Sequence, residues 1–537
     1  MRLTSLFTVL VFSGLKLVLA QQPLFLQKEF FKQNREELRM QMPDNSIAVF
    51  FTNPIRNRSN DVDFVYHPDP NFYYLTGWEE PHAALIVFKD TQQDPEGKFQ
   101  EILFVRERNA REEMWNGTRK GKAGAAAMGF DRVALREEFK LLASDFDRFD
   151  QVLIFEFEND VRDFKNDAND LFDLQAHFKK AINYPDPFDR VTYTAYQQIR
   201  QSTPEDEALL RTQMKRRAQY YPQLQEDPFI QKFLNPEDLS SSDLKSQASF
   251  LVRDYNFDVE QLRQLMTNLR EIKKPEEVSL LKRAIEISAQ GQIEVMKAIR
   301  PGMTEREIQG IHQLVYKKYG AAHEGYPSIV GAGHNGCILH YIENDEQALD
   351  NQLILMDLGA EYHGYTADVT RTIPINGKFS KEQRLLYEIV LKAQQAGIDA
   401  ARAGASFQDI TMASYAVVQE GLLALGLIED AREFRRYLPH GVAHHIGLDV
   451  HDPGNYGKLA PNMIITVEPG IYVPADSPCD PKWWNIGIRI EDDILITEEA
   501  AVVLSAGAPR DPDAIEAMIA LPSPLDDFEL PDLGPIE

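Results

Sequence analysis

Four carboxylates in the second half of this chain fall inside apolar runs. Asp357 follows Leu353-Ile-Leu-Met356, and Asp368 lies within Thr366-Ala-Asp-Val-Thr-Arg-Thr372. Glu468 ends Ile464-Ile-Thr-Val467, and Glu491 lies within Ile488-Arg-Ile-Glu-Asp-Asp-Ile494. Short apolar runs of this kind read as buried strands. A carboxylate buried alone is costly to ionise. One such group could be a salt-bridged core residue. Four of them require a shared cation or several bases, so the fold must gather them.

The same half concentrates histidine. Nine of the twelve histidines fall between His312 and His451. Four stand in His440-Gly-Val-Ala-His444-His445-Ile-Gly-Leu-Asp-Val-His451. This is not a helical zinc motif, because no Glu follows the first His and Gly441 and Gly447 oppose a long helix. Gly364 interrupts the segment between Asp357 and Asp368, which predicts a hairpin that brings both aspartates together. Four carboxylates with one imidazole form an oxygen-rich donor set. It suits Mn²⁺ best, with Zn²⁺, Co²⁺ or Fe²⁺ as alternatives. Bridging carboxylates can hold two divalent ions, which acidify a bound water and polarise a carbonyl. The implied reaction is hydrolysis.

A length of 537 residues predicts two or three domains. Arg2, the apolar run 6–19 and Val18-Leu-Ala20 read as a secretory signal peptide ending before Gln21, which predicts export. Beyond it no stretch is long and apolar enough to span a bilayer. A net charge of -26 excludes nucleic acid as a partner. Cys337 and Cys479 cannot form a disulfide framework, although they could pair. Asn57-Arg-Ser59 and Asn116-Gly-Thr118 fit the glycosylation pattern.

In the first half a helix is expected over 24–41, then strands at 46–52, 71–77, 83–88, 102–105 and 152–155, with helices at 133–143 and 165–182. Residues 203–245 are charged and helix-prone. A long amphipathic helix is expected over 271–298, stopped by Arg300-Pro-Gly302. Thr304 with Glu307, and Ser380 with Gln383, form capping-box patterns, and Ser406 opens a further helix. Strands are expected at 352–358, 366–373, 463–467 and 486–497. Capped helices among short strands predict an α+β second half. The tail from Pro522 is acidic and proline-rich, and is expected to be disordered or to pack loosely.

At these residues the chain resembles aminopeptidase P (Xaa-Pro aminopeptidase), a pita-bread metallopeptidase. The resemblance rests on Asn335-Gly-Cys-Ile-Leu-His340-Tyr341, Asp357-Leu-Gly, Asp368-Val-Thr-Arg, His440-Gly-Val-Ala-His444, Val467-Glu-Pro-Gly470 and Arg489-Ile-Glu-Asp492, all in order. It implies an α/β N-terminal domain before a pita-bread catalytic domain with an antiparallel sheet. The corresponding division is a signal peptide at 1–20, the N-terminal domain at 21–200, a helical insertion or linker at 201–268, the catalytic domain at 269–520 and the tail at 521–537. It further implies that Asp357 chelates one ion, that His444 and Glu468 hold the other, and that Asp368 and Glu491 bridge them. Glu468 would deprotonate a bridging water. His340, His440 and His451 would line the cleft, with Arg489 and Tyr472 beside the metals. Trp115 resembles an N-domain tryptophan that reaches a cleft mouth. His445 stands where relatives often carry an aromatic residue, which predicts an altered cleft wall. The Gly-rich Val330-Gly-Ala-Gly-His334 lacks the ending of a phosphate loop and reads as a turn near the cleft.

The implied activity is removal of the first residue from peptides with proline second, by a homo-oligomer (dimer or tetramer). Prolidase, an Xaa-Pro dipeptidase, carries the same metal blocks and is the near alternative. A binding protein on a dead peptidase scaffold is the alternative of another class, and the intact ligand set argues against it.

Overall fold

The β-branched and aromatic runs of the first half assemble one mixed sheet. The structure is a computed structural model that describes residues 25–142, 146–235, 240–252, 255–347, 349–528 and 530–531. The leader at 1–20 lies outside the described residues. Ser46–Phe51 is central to the sheet. It pairs antiparallel with Ala84–Asp94, Ile47 opposite Phe88, and parallel with Gln151–Leu153, Ile47 opposite Val152. The full order is Arg132–Leu135, Gly97–Val105, Ala84–Asp94, Ser46–Phe51, Gln151–Leu153 and Phe257–Asp258. The helix Lys28–Gln41 covers one face with Phe30, Phe31 and Leu38.

Two local expectations fail here for identifiable reasons. Residues 71–77, read as a strand from their aromatics, form the helix Pro70–Thr76. The Asp69 carboxylate accepts from the Phe72 amide, Pro70 starts the first turn, and Gly77 closes the end in the left-handed region at φ 66°. Caps at both ends outweigh the strand propensity of the side chains. The expected helix at 133–143 instead begins as the sheet-edge strand Arg132–Leu135, held by parallel pairing of Val133 with Leu103.

The helical segment starts earlier than expected, at Arg190 rather than 201. The helices Arg190–Gln201, Glu207–Arg217, Pro228–Leu234 and Ser241–Leu251 share a small core around Ile199, Met214, Ile230 and Leu244. The chain then returns to the first sheet through Phe257–Asp258, which pairs with Val152 and Leu153. The helices are therefore an insertion into the N-terminal domain rather than a linker between domains. Next come the helix Gln261–Glu271 and, after a break, Pro275–Ala298. The break falls where Pro275 takes the first helical position and the Glu277 carboxylate caps the Lys274 amide at 2.9 Å.

The second half is α+β, as expected. One antiparallel sheet has the order Ile329–Ala332, Leu353–Leu358, Val369–Pro374, and another the order Ile464–Val467, Asp492–Ile496, Ala501–Val503. Gly470–Val473 pairs with Ile486–Arg489. The helices Glu305–Lys318, Lys381–Ala400 and Phe407–Ala424 cover the strands over one continuous core. The expected hairpin is present: Ala360–Tyr362 pairs with Tyr365–Thr366 around His363 and Gly364, both at positive φ. The first residues of the tail pack on this domain. Ser523 is buried, Leu525 touches the core, and Arg300 pairs with Asp526 at 3.1 Å.

Candidate metal centre

Only Asp357 lies within a strand. Asp368 falls in the break after Tyr365–Thr366, Glu468 just past Ile464–Val467, and Glu491 between Ile486–Arg489 and Asp492–Ile496. Each break frees backbone groups to fix the acid from outside the ladder. The Asp368 amide donates to Asp493 at 3.0 Å, and the Glu491 amide to the Thr370 carbonyl at 3.1 Å. Asp357 stands opposite Thr370 in the register, one strand from Asp368. His444 is set against Glu468 because the segment 442–444 runs beside 466–468, with the Thr466 amide donating to His444 and the Glu468 amide to Val442, each at 2.9 Å.

The five groups converge. His444 Nε2 lies 3.5 Å from Asp368, 3.6 Å from Glu468 and 4.0 Å from Glu491. Ligand atoms of Asp368, His444 and Glu491 all fall within 4.8 Å of one another. Arg489 faces Asp357 at 2.6 Å and holds that carboxyl below its usual range, against burial. Among the described residues the other three carboxylates make no ion pair with an arginine or lysine. Burial and the neighbouring acids push Asp368, Glu468 and Glu491 well above the carboxylate range. Burial also lowers His444, to about 4, so its imidazole is neutral and free to ligate. Three mutually repelling buried carboxylates beside a neutral imidazole fit divalent cations, which would remove the repulsion.

The cluster forms the floor of a cleft of about 670 Å³. His340, His440, His451 and Arg489 line it. The ring of His451 meets that of His444 edge-on at 4.4 Å. Tyr472 sits behind the wall rather than on it. It accepts from Arg489 and pairs with His440 Nε2, each at 2.9 Å. Burial lowers His440 to about 4, and its Nδ1 donates to the Gly441 carbonyl, so Nε2 is free to accept from Tyr472. Val330 and Gly331 belong to the strand Ile329–Ala332, whose first residue reaches the cleft.

Two sequence-based expectations are corrected. Trp115 does not line the cleft of its own chain. It is 82% exposed on the short helix Ala110–Asn116, which buries none of its residues. His445 does not form the cleft wall either. It is fully buried behind it, against Phe407 and Tyr456, because its ring points away from His444 in an extended segment. Cys337 and Cys479 are both free thiols. One residue of the centre escaped sequence reasoning: the Tyr326 hydroxyl lies 2.6 Å from both Asp357 and Asp368. A tyrosine between Gly325 and Pro327 carries no local mark of such a role.

A family model described as metallopeptidase family M24 matches residues 279–498, and one described as aminopeptidase P, N-terminal domain matches 31–147. The Xaa-Pro aminopeptidase of Escherichia coli (strain K12) is 31% identical over 507 residues, covering 92% of this chain and 98% of that protein. Xaa-Pro aminopeptidase 3 of Homo sapiens is 29% identical, covering 90% and 82%. The solved Pseudomonas aeruginosa aminopeptidase PepP superposes with a TM-score of 0.73 at 30% identity, covering 93% of this chain and 99% of that one. Aminopeptidase P from E. coli with the inhibitor Pro-Leu superposes at 0.71, covering 92% and 98%.

Proposed function

The chain belongs to metallopeptidase family M24, and from that premise we propose that it is a metal-dependent aminopeptidase releasing the first residue from peptides with proline second. The observation that carries this reading is the cluster of Asp368, Glu468 and Glu491 around His444, on the floor of an open cleft. Prolidase, with the same blocks, is not favoured: the similar proteins are Xaa-Pro aminopeptidases over nearly their whole length. A dead scaffold is not favoured either, since the ligand set is complete.

Asp357, Asp368, His444, Glu468 and Glu491 would hold two divalent ions. Their oxygen-rich chemistry supports Mn²⁺ ahead of Zn²⁺, Co²⁺ or Fe²⁺. Bound ions of this class supply an acidified water and polarise the scissile carbonyl. Glu468, on the cleft floor beside His444, would take the proton of the attacking water. It would return it to the proline nitrogen as the C–N bond breaks, a nitrogen that carries no hydrogen of its own in the peptide. His340 and His451 reach the cleft where the tetrahedral oxyanion would form, so their stabilisation is felt in the transition state. Arg489 and Tyr472 hold Asp357 and His440 in place.

Sequence alone supports export through the leader 1–20; a mature protein found only in a cytoplasmic fraction would overturn that. Exposed Trp115 and Met114, 82% and 83% accessible, favour a homo-oligomer, which sedimentation would test.

The deciding experiment compares an Xaa-Pro dipeptide, an Xaa-Pro-Xaa tripeptide and a longer Xaa-Pro peptide, each with EDTA and with added Mn²⁺. We expect the longer peptides to be cut, the activity to vanish in EDTA and Mn²⁺ to restore it. Cutting of the dipeptide alone would transfer the assignment to prolidase, and no cutting of any peptide would refute a peptidase.

A further inference from the structure

The helix Gln261–Glu271 lies outside both matched spans, 31–147 and 279–498, yet it grips the segment that carries His445 and His451. Arg270 is 2% exposed. Its Nη2 donates to Asp449 at 2.6 Å and also to Asp452, the residue after His451. Lys273, just past the helix and equally buried, donates to the other oxygen of Asp452 at 2.7 Å. Glu271 accepts from the Asn455 amide at 3.0 Å and its side chain at 2.7 Å. The arrangement extends to the N-terminal domain, where Arg270 Nη1 donates to Asn71 at 2.8 Å.

The gripped loop has little freedom of its own. The Asp452 amide donates to the His445 carbonyl at 2.9 Å. A Cβ at Gly447 would lie 2.5 Å from the Asp452 carboxylate, so glycine lets that carboxylate tuck beneath the turn. The four-residue turn Asp449–Asp452 is therefore fixed on one side by the two cations. On the other it presents the His451 ring to His444 and the cleft. Arg270 and Lys273 touch neither the cleft nor the metal ligands, and their charges are met within the turn.

We propose that Arg270 and Lys273 are positioning residues that hold His451 over the metal centre by clamping Asp452, so that this inter-domain helix is part of the catalytic apparatus. Plain inter-domain adhesion predicts lost stability with no selective effect on His451. Positioning predicts a loss that disappears once His451 is gone, because coupled residues are not additive. The kinetic arm rests on the peptidase reading; the structural arm does not.

The test takes Lys273→Met, with Asp452→Asn as the second variant if the first does not fold, on the wild-type and the His451→Ala backgrounds. With Mn²⁺ and an Xaa-Pro-Xaa peptide, a displacement of about 1 Å should lower kcat by about 100-fold. We expect KM to stay within about threefold, Lys273→Arg to recover most of the rate, and the same variant to cost less than about twofold on the His451→Ala background. Mn²⁺ affinity, measured by calorimetry, should stay unchanged. Equal losses on both backgrounds, or a parallel loss of metal, would overturn the proposal. A crystal structure of the variant decides independently of turnover: the His451 ring should leave its contact with His444, and a ring that stays refutes the clamp. A wild-type protein that cuts no Xaa-Pro peptide refutes the peptidase reading instead, and the crystal structure still judges the clamp.

Discussion

Asp368, Glu468 and Glu491 illustrate how one residue's chemistry depends on its neighbours. Each alone could be a salt-bridged core acid; gathered together, burial and the neighbouring acids raise the proton affinity of each. In the metal-free protein they therefore retain protons at pH values where free carboxylates have lost them, and an arriving cation must displace those protons. We expect Mn²⁺ binding to the EDTA-stripped protein near pH 7 to release protons. Calorimetry in buffers of different ionisation enthalpy would show it, and a buffer-independent enthalpy would contradict it. Tyr326 gives a second prediction. Its hydroxyl joins Asp357 to Asp368, and partners of this kind orient ligands. Tyr326→Phe should weaken Mn²⁺ binding by roughly 10- to 100-fold, with the circular dichroism spectrum unchanged.

At the level of elements, the centre depends on strands that stop early and on close backbone approaches. The strand Ile486–Arg489 lies against the turn at 335–337, and a Cβ on Gly487 would stand 2.0 Å from the Gly336 carbonyl oxygen. That turn leads directly to His340. Gly487→Ala should lower unfolding stability by about 1–3 kcal/mol through overpacking. It should also reduce kcat as the His340 segment shifts. An unchanged urea midpoint would show that the contact is not tight. Element identity was legible wherever the pattern was long or well capped: Thr304, Ser380 and Ser406 each cap the helix that their spacing announces. It was not legible at 71–77, where aromatic side chains favour a strand and only Asp69, Pro70 and Gly77 carry the helical signal.

Across the whole molecule, the two domains meet near the cleft. His67 of the N-terminal domain reaches Glu361 of the catalytic domain at 2.8 Å, with His323, Glu324 and Asp449 around the same hollow. The hydrogen bond to Glu361 raises His67 above its ordinary value, against burial. A raised folded-state pKa means that the stabilisation is complete below the unfolded value of about 6.5 and is lost as pH climbs through the folded value. The melting temperature of wild type should therefore exceed that of His67→Ala most near pH 6, and the difference should shrink as pH climbs through the raised folded value. A difference constant with pH would show that the pair carries no net charge interaction.

The sequence by itself determined the order of the four carboxylates that the fold gathers at the candidate centre, because each stands in or beside an apolar run whose burial can be read locally; His444 entered the set through the family resemblance. The sequence also determined the α+β character of the second half, since capped helices and short strands are local patterns. Tertiary structure alone decided that Trp115 stands out in solvent, that His445 turns behind the cleft wall and that Tyr326 joins two aspartates. It alone decided that Arg270 and Lys273 meet Asp452, 182 and 179 residues away along the chain. Side-chain direction and pairing across such separations are fixed by packing against the rest of the fold, and hydrophobic periodicity carries no record of them.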